Sequence, residues 1–501
     1  MSSSPENLAL AERCIDQLRA IRSDLVAAER RQAPLLGRRP RARSPSIRNF
    51  IHYLSLRQRD IRLLQDDLAR LGLSSLGRAE AHTIYTVDAV LRALGALTGH
   101  PEPVPEAPGA PGFDAGPALL AGQADALLGP RPAGRDVRIM VTLPGEAARD
   151  LLLVRSLIER GMNVARINCA HDDAETWARM ASTVRDAAEM ARRPCLVQMD
   201  LGGPKLRTGP CAQEVPVRAG DALLLTRNGE PGGPSSIGPD GAIRLAHVAC
   251  SLPEVLDQVE PGDRLFIDDG KIGGLIEAVD DHAAHVRITQ AKARGSILRG
   301  DKGINLPDSQ LDLPALTEKD RSDLLPVAHL ADIVALSFVE RPQDVVELDE
   351  ELCRLGATLT GLVLKIETRR GFSRLPQILL EAIGTRPLGV MIARGDMAVE
   401  CGYERLAEIQ EEMLWLCEAA HVPVIWATQV LDRLSRKGLP TRAEITDAAM
   451  GERAECVMLN KGPHVLDAIT LLDGILRRME GHQHKKISTL RSLAVSQTLS
   501  E

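Results

Sequence analysis

Aromatic side chains are scarce in these 501 residues: three Trp, three Tyr and five Phe. So few rings cannot build the stacking platforms on which proteins hold single-stranded nucleic acid. Positive charge is not in excess either. Lys and Arg number 61 against 68 Asp and Glu, a formal charge of −7, whereas general nucleic-acid binding rests on neutralising phosphates. Nucleic acid is therefore not expected as a partner. No run of 18 apolar residues occurs, which argues against a membrane-spanning helix and a membrane partner. The opening Met1-Ser2-Ser3-Ser4-Pro5-Glu6 lacks the charged stretch and apolar core of a signal peptide. The nine cysteines are scattered, odd in number and never spaced CxxC, so neither a disulfide framework nor a structural zinc site is expected. Together these absences point to a soluble protein of a reducing compartment, with the cytoplasm as expected location.

What is present is ample apolar material. Hydrophobic residues make up 44% of the chain, enough for globular cores, and the length suggests about three units. Residues 1–98 read as a helical region. Ile47, Phe50, Ile51, Leu54, Ile61, Leu64, Leu68 and Leu71 recur at helical spacing, and 7–31 and 79–97 follow a weaker version of the pattern. Their apolar stripes have to be buried within their own bundle or against a partner subunit, the bundle being favoured. Arg30, Arg31, Arg38, Arg39, Arg41, Arg43 and Arg48 form a basic patch read as a solvated loop. Residues 99–134 hold eight prolines and seven glycines and read as a linker without helix or strand.

From residue 135 the texture becomes short β-branched runs alternating with amphipathic helices. Strands are predicted at 137–143, 163–168, 195–201, 332–338, 361–367, 388–393, 422–428 and 455–460. Their nearly continuous apolar character suits strands buried on both faces. Eight such units with right-handed crossovers predict an α/β fold, a (β/α)8 or TIM barrel. The interval 209–300, with further strands at 264–269, 272–279 and 285–290, reads as a small β domain inserted after the third strand. Removing it leaves about 250 residues, the usual size of such a barrel. The expected order is thus a helical region (1–98), linker (99–134), barrel (135–208 and 301–480) split by the insert, and a tail (481–501).

Reactive groups of such barrels gather at the carboxyl ends of the strands. Those ends offer Arg166 and Asn168, Asp200, Ser337, Lys365 and Glu367, Arg394-Gly395-Asp396, Thr428-Gln429, and Asn460-Lys461. Glu367 and Asp396 supply two hard oxygen ligands, which suits Mg2+. Lys365 stands two residues before Glu367 and so faces the same side of its strand. With Arg166 and Arg207 nearby, a strongly positive pocket for a multiply anionic substrate is expected. The Arg394-Gly395-Asp396 segment precedes a helical pattern, so its backbone N–H groups could cradle a carboxylate or phosphate. Metal and cations without a nucleophilic constellation point to phosphoryl transfer or enolate stabilisation.

At this point the chain resembles pyruvate kinase. The resemblance is carried by Gly161-Met162-Asn163-Val164-Ala165-Arg166-Ile167-Asn168, Asp200-Leu201-Gly202-Gly203-Pro204-Lys205-Leu206-Arg207-Thr208-Gly209, Ile267-Asp268-Asp269-Gly270, Lys302-Gly303-Ile304-Asn305-Leu306-Pro307 and Asp312-Leu313-Pro314. Lys365-Ile366-Glu367, Ala393-Arg394-Gly395-Asp396, Ala427-Thr428-Gln429 and Pro440-Thr441-Arg442-Ala443-Glu444 complete it in the same order. The resemblance covers about residues 136–480. It implies transfer of phosphate from phosphoenolpyruvate to ADP, giving pyruvate and ATP, with Mg2+ (or Mn2+) as cofactor and a homo-oligomeric assembly. It also implies roles. Lys365 would stabilise the migrating phosphoryl group and Arg166 would bind it. Glu367 and Asp396 would hold the metal, while Thr428 with the amides of Gly395 and Asp396 would meet the carboxylate and enolate. Asn168, His171 and Arg207 would serve the nucleotide.

The chain departs from that family at several places. The first-strand Thr-Ile-Gly-Pro is Thr142-Leu143-Pro144-Gly145, and Asn-Phe-Ser-His is Asn168-Cys169-Ala170-His171, losing a serine that usually binds a monovalent cation. The eighth-strand Ser-Gly-Glu-Thr, which in the family helps route a proton to the enolate, is Asn460-Lys461-Gly462-Pro463. The chain ends soon after the barrel, so a regulatory carboxyl-terminal domain and control through it are not expected. Lys205 stands where most members carry Glu and need K+. Its ammonium, beside Asp200 and Asn168, is expected to replace that ion and make activity independent of K+. Two other readings of the same pocket stay open: a Mg2+-dependent lyase or aldolase working through a pyruvate enolate, and a non-catalytic sensor of phosphoenolpyruvate or nucleotide.

Overall fold

The computed structural model describes residues 5–36, 44–105, 107–237, 242–485 and 487–488. Eight parallel strands close into a barrel: β1 (Arg138–Thr142), β2 (Val164–Asn168), β3 (Leu196–Asp200), β4 (Ile333–Leu336), β5 (Gly361–Ile366), β6 (Leu388–Ala393), β7 (Val424–Ala427) and β8 (Cys456–Leu459). Each strand pairs with its neighbours in chain order, and β8 closes on β1. Every strand lies within two residues of its expected ends, because uninterrupted apolar runs bounded by Gly, Pro and charge leave little choice of limits. No helix among the described residues is long and apolar enough to cross a membrane.

The segment between β3 and β4 forms a separate six-stranded sheet with its own core, including Leu223, Leu225, Leu265, Ile276 and Val286. Its strands Arg264–Ile267, Ile272–Val279 and Ala283–Gln290 match the alternating runs in the sequence. The sheet also takes in Ile304–Asn305, which pairs with Arg264–Ile267 and lies beyond the expected boundary at residue 300. Two residues are too short to show a period, so pairing alone reveals that strand.

Among the described residues four helices form a bundle ahead of the barrel: α1 (Pro5–Leu36), α2 (Pro45–Leu56), α3 (Arg62–Arg70) and α4 (Thr83–Thr98). Their stripes meet in a core of their own, built from residues such as Leu18, Leu25, Leu68, Val87 and Leu94. The bundle docks on the helix Tyr403–Ala419, between β6 and β7. Asn49 donates to the carbonyls of Glu80 and Ala419, and the Arg57 guanidinium lies 4.8 Å from the Trp415 ring centre. Of the basic patch, Arg48 pairs with Glu29 at 2.7 Å, whereas Arg38, Arg39, Arg41 and Arg43 lie outside the described residues.

The expected linker is corrected by a fifth helix, α5 (Ala115–Leu128). Pro117 falls in its first turn, where a missing N–H costs nothing, and Leu120, Ala124, Leu127 and Leu128 recur on one buried face. Proline and glycine counts hid this pattern. Leu127 and Leu128 pack with Met140, Val164, Val363, Met391 and Ile425 inside the barrel and plug its amino-terminal end. Glycine is required opposite them: a Cβ at Gly361 or Gly389 would come within 2.7 or 2.5 Å of a Leu127 methyl.

Candidate active site

The strand register brings the polar strand ends together at the mouth opposite α5. Thr142 pairs in register with Arg166, and Arg166 with Gln198. The Arg166 guanidinium donates to Thr142 Oγ1 at 2.9 Å and to Asp200 Oδ2 through Nε at 2.9 Å. Asp200 is fully buried and also accepts from Gln198 Nε2 at 2.7 Å. Burial alone would raise its carboxyl, but Arg166 and Lys365 outweigh it and hold the pKa below the usual carboxylate range.

Lys365 stands at the centre. Its Nζ donates to Ser337 Oγ at 2.7 Å and lies 3.1 Å from Glu367 Oε1 and 3.4 Å from Asp200 Oδ2. Burial disfavours its charge, yet Glu367 and Asp200 raise its pKa above the ordinary lysine value, so it stays an ammonium. Ser337 in turn donates to the Leu201 carbonyl at 2.8 Å, which fixes the oxygen that Lys365 uses.

Glu367 and Asp396 are neighbours whose charges act on each other. Burial, with the neighbouring Asp396 charge, raises the Glu367 carboxyl. Asp396 is buried too, but Lys205 holds it low. Glu367 is buried, and the neighbour of its Oε1 is the Lys365 ammonium. Among the described residues no group of three His, Cys, Asp or Glu converges. Two neighbouring buried carboxylates fit a hard divalent cation that takes its remaining ligands from water and substrate.

Lys205 departs from expectation. Its ammonium lies 2.9 Å from both oxygens of Asp396, not on Asp200, whose partners are Arg166, Gln198 and Lys365. The turn after β3 decides this. Asp320, fully buried at the start of the helix Glu318–Leu330, accepts from the amides of Gly202 and Gly203. Gly203 takes a φ of 68°, and a Cβ there would come within 2.9 Å of Ser337 Cβ. The chain is thereby swung across the mouth towards β6. Asn168 is spent locally, accepting from the Ala170 amide at 3.2 Å. The six central groups are three cations, Arg166, Lys205 and Lys365, and three carboxylates, Asp200, Glu367 and Asp396.

Arg207 and His171 are engaged away from that cluster. Arg207 pairs with Asp301 at 3.2 Å on the joint to the inserted domain, and the His171 side chain is exposed. Thr428 is reached: its Oγ1 accepts from the Gly395 amide at 3.0 Å. Thr428 and Gln429 have φ of 64° and 59°, left-handed values that are strained for a β-branched residue. Arg394 holds this turn, donating to the carbonyls of Ala427 and Thr428 at 2.8 and 2.6 Å, and its guanidinium is pinned by Asp447. The sequence marked Arg394 only as part of a segment and gave no sign of Asp447, 53 residues on. Gln198 was equally missed, although alternation with Asp200 places it on the same face of β3.

A family model described as "Pyruvate kinase, barrel domain" matches residues 134–463. The pyruvate kinase of Geobacillus stearothermophilus is 32% identical over 376 residues, covering 73% of this chain and 61% of that protein. Pyruvate kinase PKLR of Homo sapiens is 32% identical over 369 residues, with 70% and 60% covered. The pyruvate kinase of Methylorubrum extorquens is 32% identical over 354 residues, with 69% of each chain covered. The chain thus spans about three fifths of the length of the first two relatives. The barrel, its insert and the lysine–carboxylate cluster at its mouth all fall in the matched region, and the chain belongs to the pyruvate kinase family.

Proposed function

We propose that the protein transfers a phosphoryl group from phosphoenolpyruvate to ADP, giving pyruvate and ATP. The observation that carries this reading is the buried Lys365 ammonium, held by Ser337, Glu367 and Asp200, with the Asp396 carboxylate beside Glu367. A positive group fixed in a water-poor site stabilises charge that develops during transfer far better than water could. In the reaction the bond from phosphorus to the enol oxygen breaks and one to the terminal phosphate of ADP forms. The enolate left behind takes a proton and becomes pyruvate.

In this reading Arg166 and Lys365 grip the phosphoryl oxygens, the Arg166 guanidinium being oriented by Asp200 and Thr142. The Gly395 and Asp396 amides and the Thr428 hydroxyl orient the carboxylate end. Glu367 and Asp396 would hold Mg2+, or Mn2+, which when bound neutralises negative charge on the substrate oxygens. Arg207 and His171, with Asn168, serve the nucleotide phosphates, approaching from the inserted domain and the loop after β2. Lys205 supplies a fixed positive charge at Asp396, so activity does not depend on K+.

A coupled assay with phosphoenolpyruvate, ADP and Mg2+ tests the reading. Pyruvate and ATP should appear together in equal amounts. Enolate exchange without ATP, or tight binding without turnover, would replace it with a lyase or a sensor. Lys365→Met should lower kcat by about 10²–10³-fold, the usual effect of deleting one transition-state donor, while phosphoenolpyruvate binding persists.

A further inference from the structure

The inserted domain joins the barrel through two strands, one leaving β3 and one returning towards β4. They pair with each other as a ribbon. The Thr208 amide donates to the Lys302 carbonyl at 2.8 Å, the Asp301 amide to the Thr208 carbonyl at 2.9 Å, and the Ile304 amide to the Leu206 carbonyl at 2.9 Å. Arg207 stands in this ribbon opposite Gly303. The position of Arg207 over the mouth is therefore set by the angle at which the ribbon leaves the barrel.

Lys205 and Asn305 flank the barrel end of the ribbon, and one helix, Arg394–Cys401, holds both. Lys205 lies on Asp396, as described above. Asn305, buried on the returning strand, donates through Nδ2 to Glu400 Oε1 at 3.0 Å. Asp396 and Glu400 are four residues apart and so share a face of that helix. A single tie would leave a pivot, whereas two ties one helical turn apart fix an angle. Burial, with the charges of Asp396, Glu340 and Asp308, pushes the Glu400 carboxyl up to about 7 against the opposing bond from Asn305. An amide N–H finds an accepting oxygen on either form of the carboxyl, so the tie holds through that range.

We propose that Asn305 and Glu400 are positioning residues for the nucleotide: their hydrogen bond sets the ribbon, and Arg207 with it, at the height where Arg207 meets the ADP phosphates. This rests on the nucleotide role of Arg207 in the proposed reaction. Lys365, Arg166 and Thr428, which serve phosphoenolpyruvate in the same reading, stand at the ends of barrel strands and not on the ribbon. Breaking the tie should therefore weaken one substrate and spare the other, which a general loss of structure would not do.

Calorimetric titrations of the full chain with ADP and, separately, with phosphoenolpyruvate, both in Mg2+, test this on Asn305→Ala, Glu400→Leu and the double variant. Each single change should weaken ADP about five- to tenfold, the size of one lost hydrogen bond, with phosphoenolpyruvate changed by less than about twofold. The double variant should bind ADP no more weakly than either single one, because the bond can be lost only once. Equal weakening of both ligands, additive losses in the double variant, unchanged ADP affinity in Asn305→Ala, or no ADP binding to the unaltered chain at millimolar concentration would overturn the proposal. If Glu400→Leu does not fold, the contrast between the two ligands in Asn305→Ala still decides it. The titrations need no turnover, so a chain that binds both ligands and forms no ATP refutes the reaction and not this pair.

Discussion

Lys205 and Arg394 both carry charge to places that their positions in the chain do not announce. Lys205 neutralises Asp396 directly, so Lys205→Glu should put two carboxylates face to face. We expect that variant to lose nearly all rate in K+-free buffer and to regain part of it as K+ is added, whereas the unaltered chain gives one rate in both buffers. A many-fold K+ activation of the unaltered chain would refute the proposed role. Arg394 fastens the strained Thr428 turn through Asp447. Asp447→Asn leaves a nearly buried guanidinium half-partnered and should cost roughly 3 kcal/mol, the lower end for breaking such a pair. Its kcat should fall more than its KM rises, since the carboxylate cradle loosens while the cations stay; steady-state kinetics beside urea unfolding would separate the two effects. The spacing of Lys365 and Glu367 was legible because alternate residues of a strand share a face. The partners of Lys205 and Arg394 were not, because loop direction after β3 and β6 depends on Asp320 and Asp447, far along the chain.

Among the elements, α5 is the one that composition disguised. Its Leu127 fills the barrel floor against glycines of β5 and β6. Leu127→Ala should destabilise by about 2–5 kcal/mol, as other large-to-small changes in packed cores do. Gly389→Ala should also destabilise, since its new methyl would meet Leu127 Cδ2 at 2.5 Å. Combining the two should recover stability relative to the sum, with a coupling of about 1–3 kcal/mol in a double-mutant cycle. Strict additivity would show that the two side chains do not compete for one space. The eight strands were readable without structure because burial on both faces leaves an unbroken apolar run. The periodic face of α5 was also present, but Pro and Gly in its first turns mask it when residues are only counted.

For the whole molecule, the docking of the helical bundle on the barrel is tied to a buried histidine. The His421 ring lies 3.0 Å from Ser46 Oγ on one side and donates to the Ala81 carbonyl at 2.9 Å on the other. Burial pushes its pKa down to about 4, against an ordinary value near 6.5. Between those values the unfolded chain binds a proton that the folded chain refuses, so stability falls as pH drops from about 6.5 to 4 and the loss levels off below that. The full effect is about 3 kcal/mol. Urea midpoints at pH 7.5 and 4.5 should differ more for the unaltered protein than for His421→Gln; equal differences would remove His421 as the cause.

The sequence alone determined the barrel, the insert after its third strand, a bundle of helices ahead of it, and which carboxyl ends carry polar groups. Each of these follows from local periodicity, which side-chain burial imposes at spacings of two or about four residues. Only the tertiary structure decided that Lys205 meets Asp396, that Asp447 pins Arg394 over the Thr428 turn and that α5 plugs the barrel floor. Those facts depend on residues distant in the chain closing on one another, where the direction of a turn and the volume of a facing side chain matter and no local pattern records them.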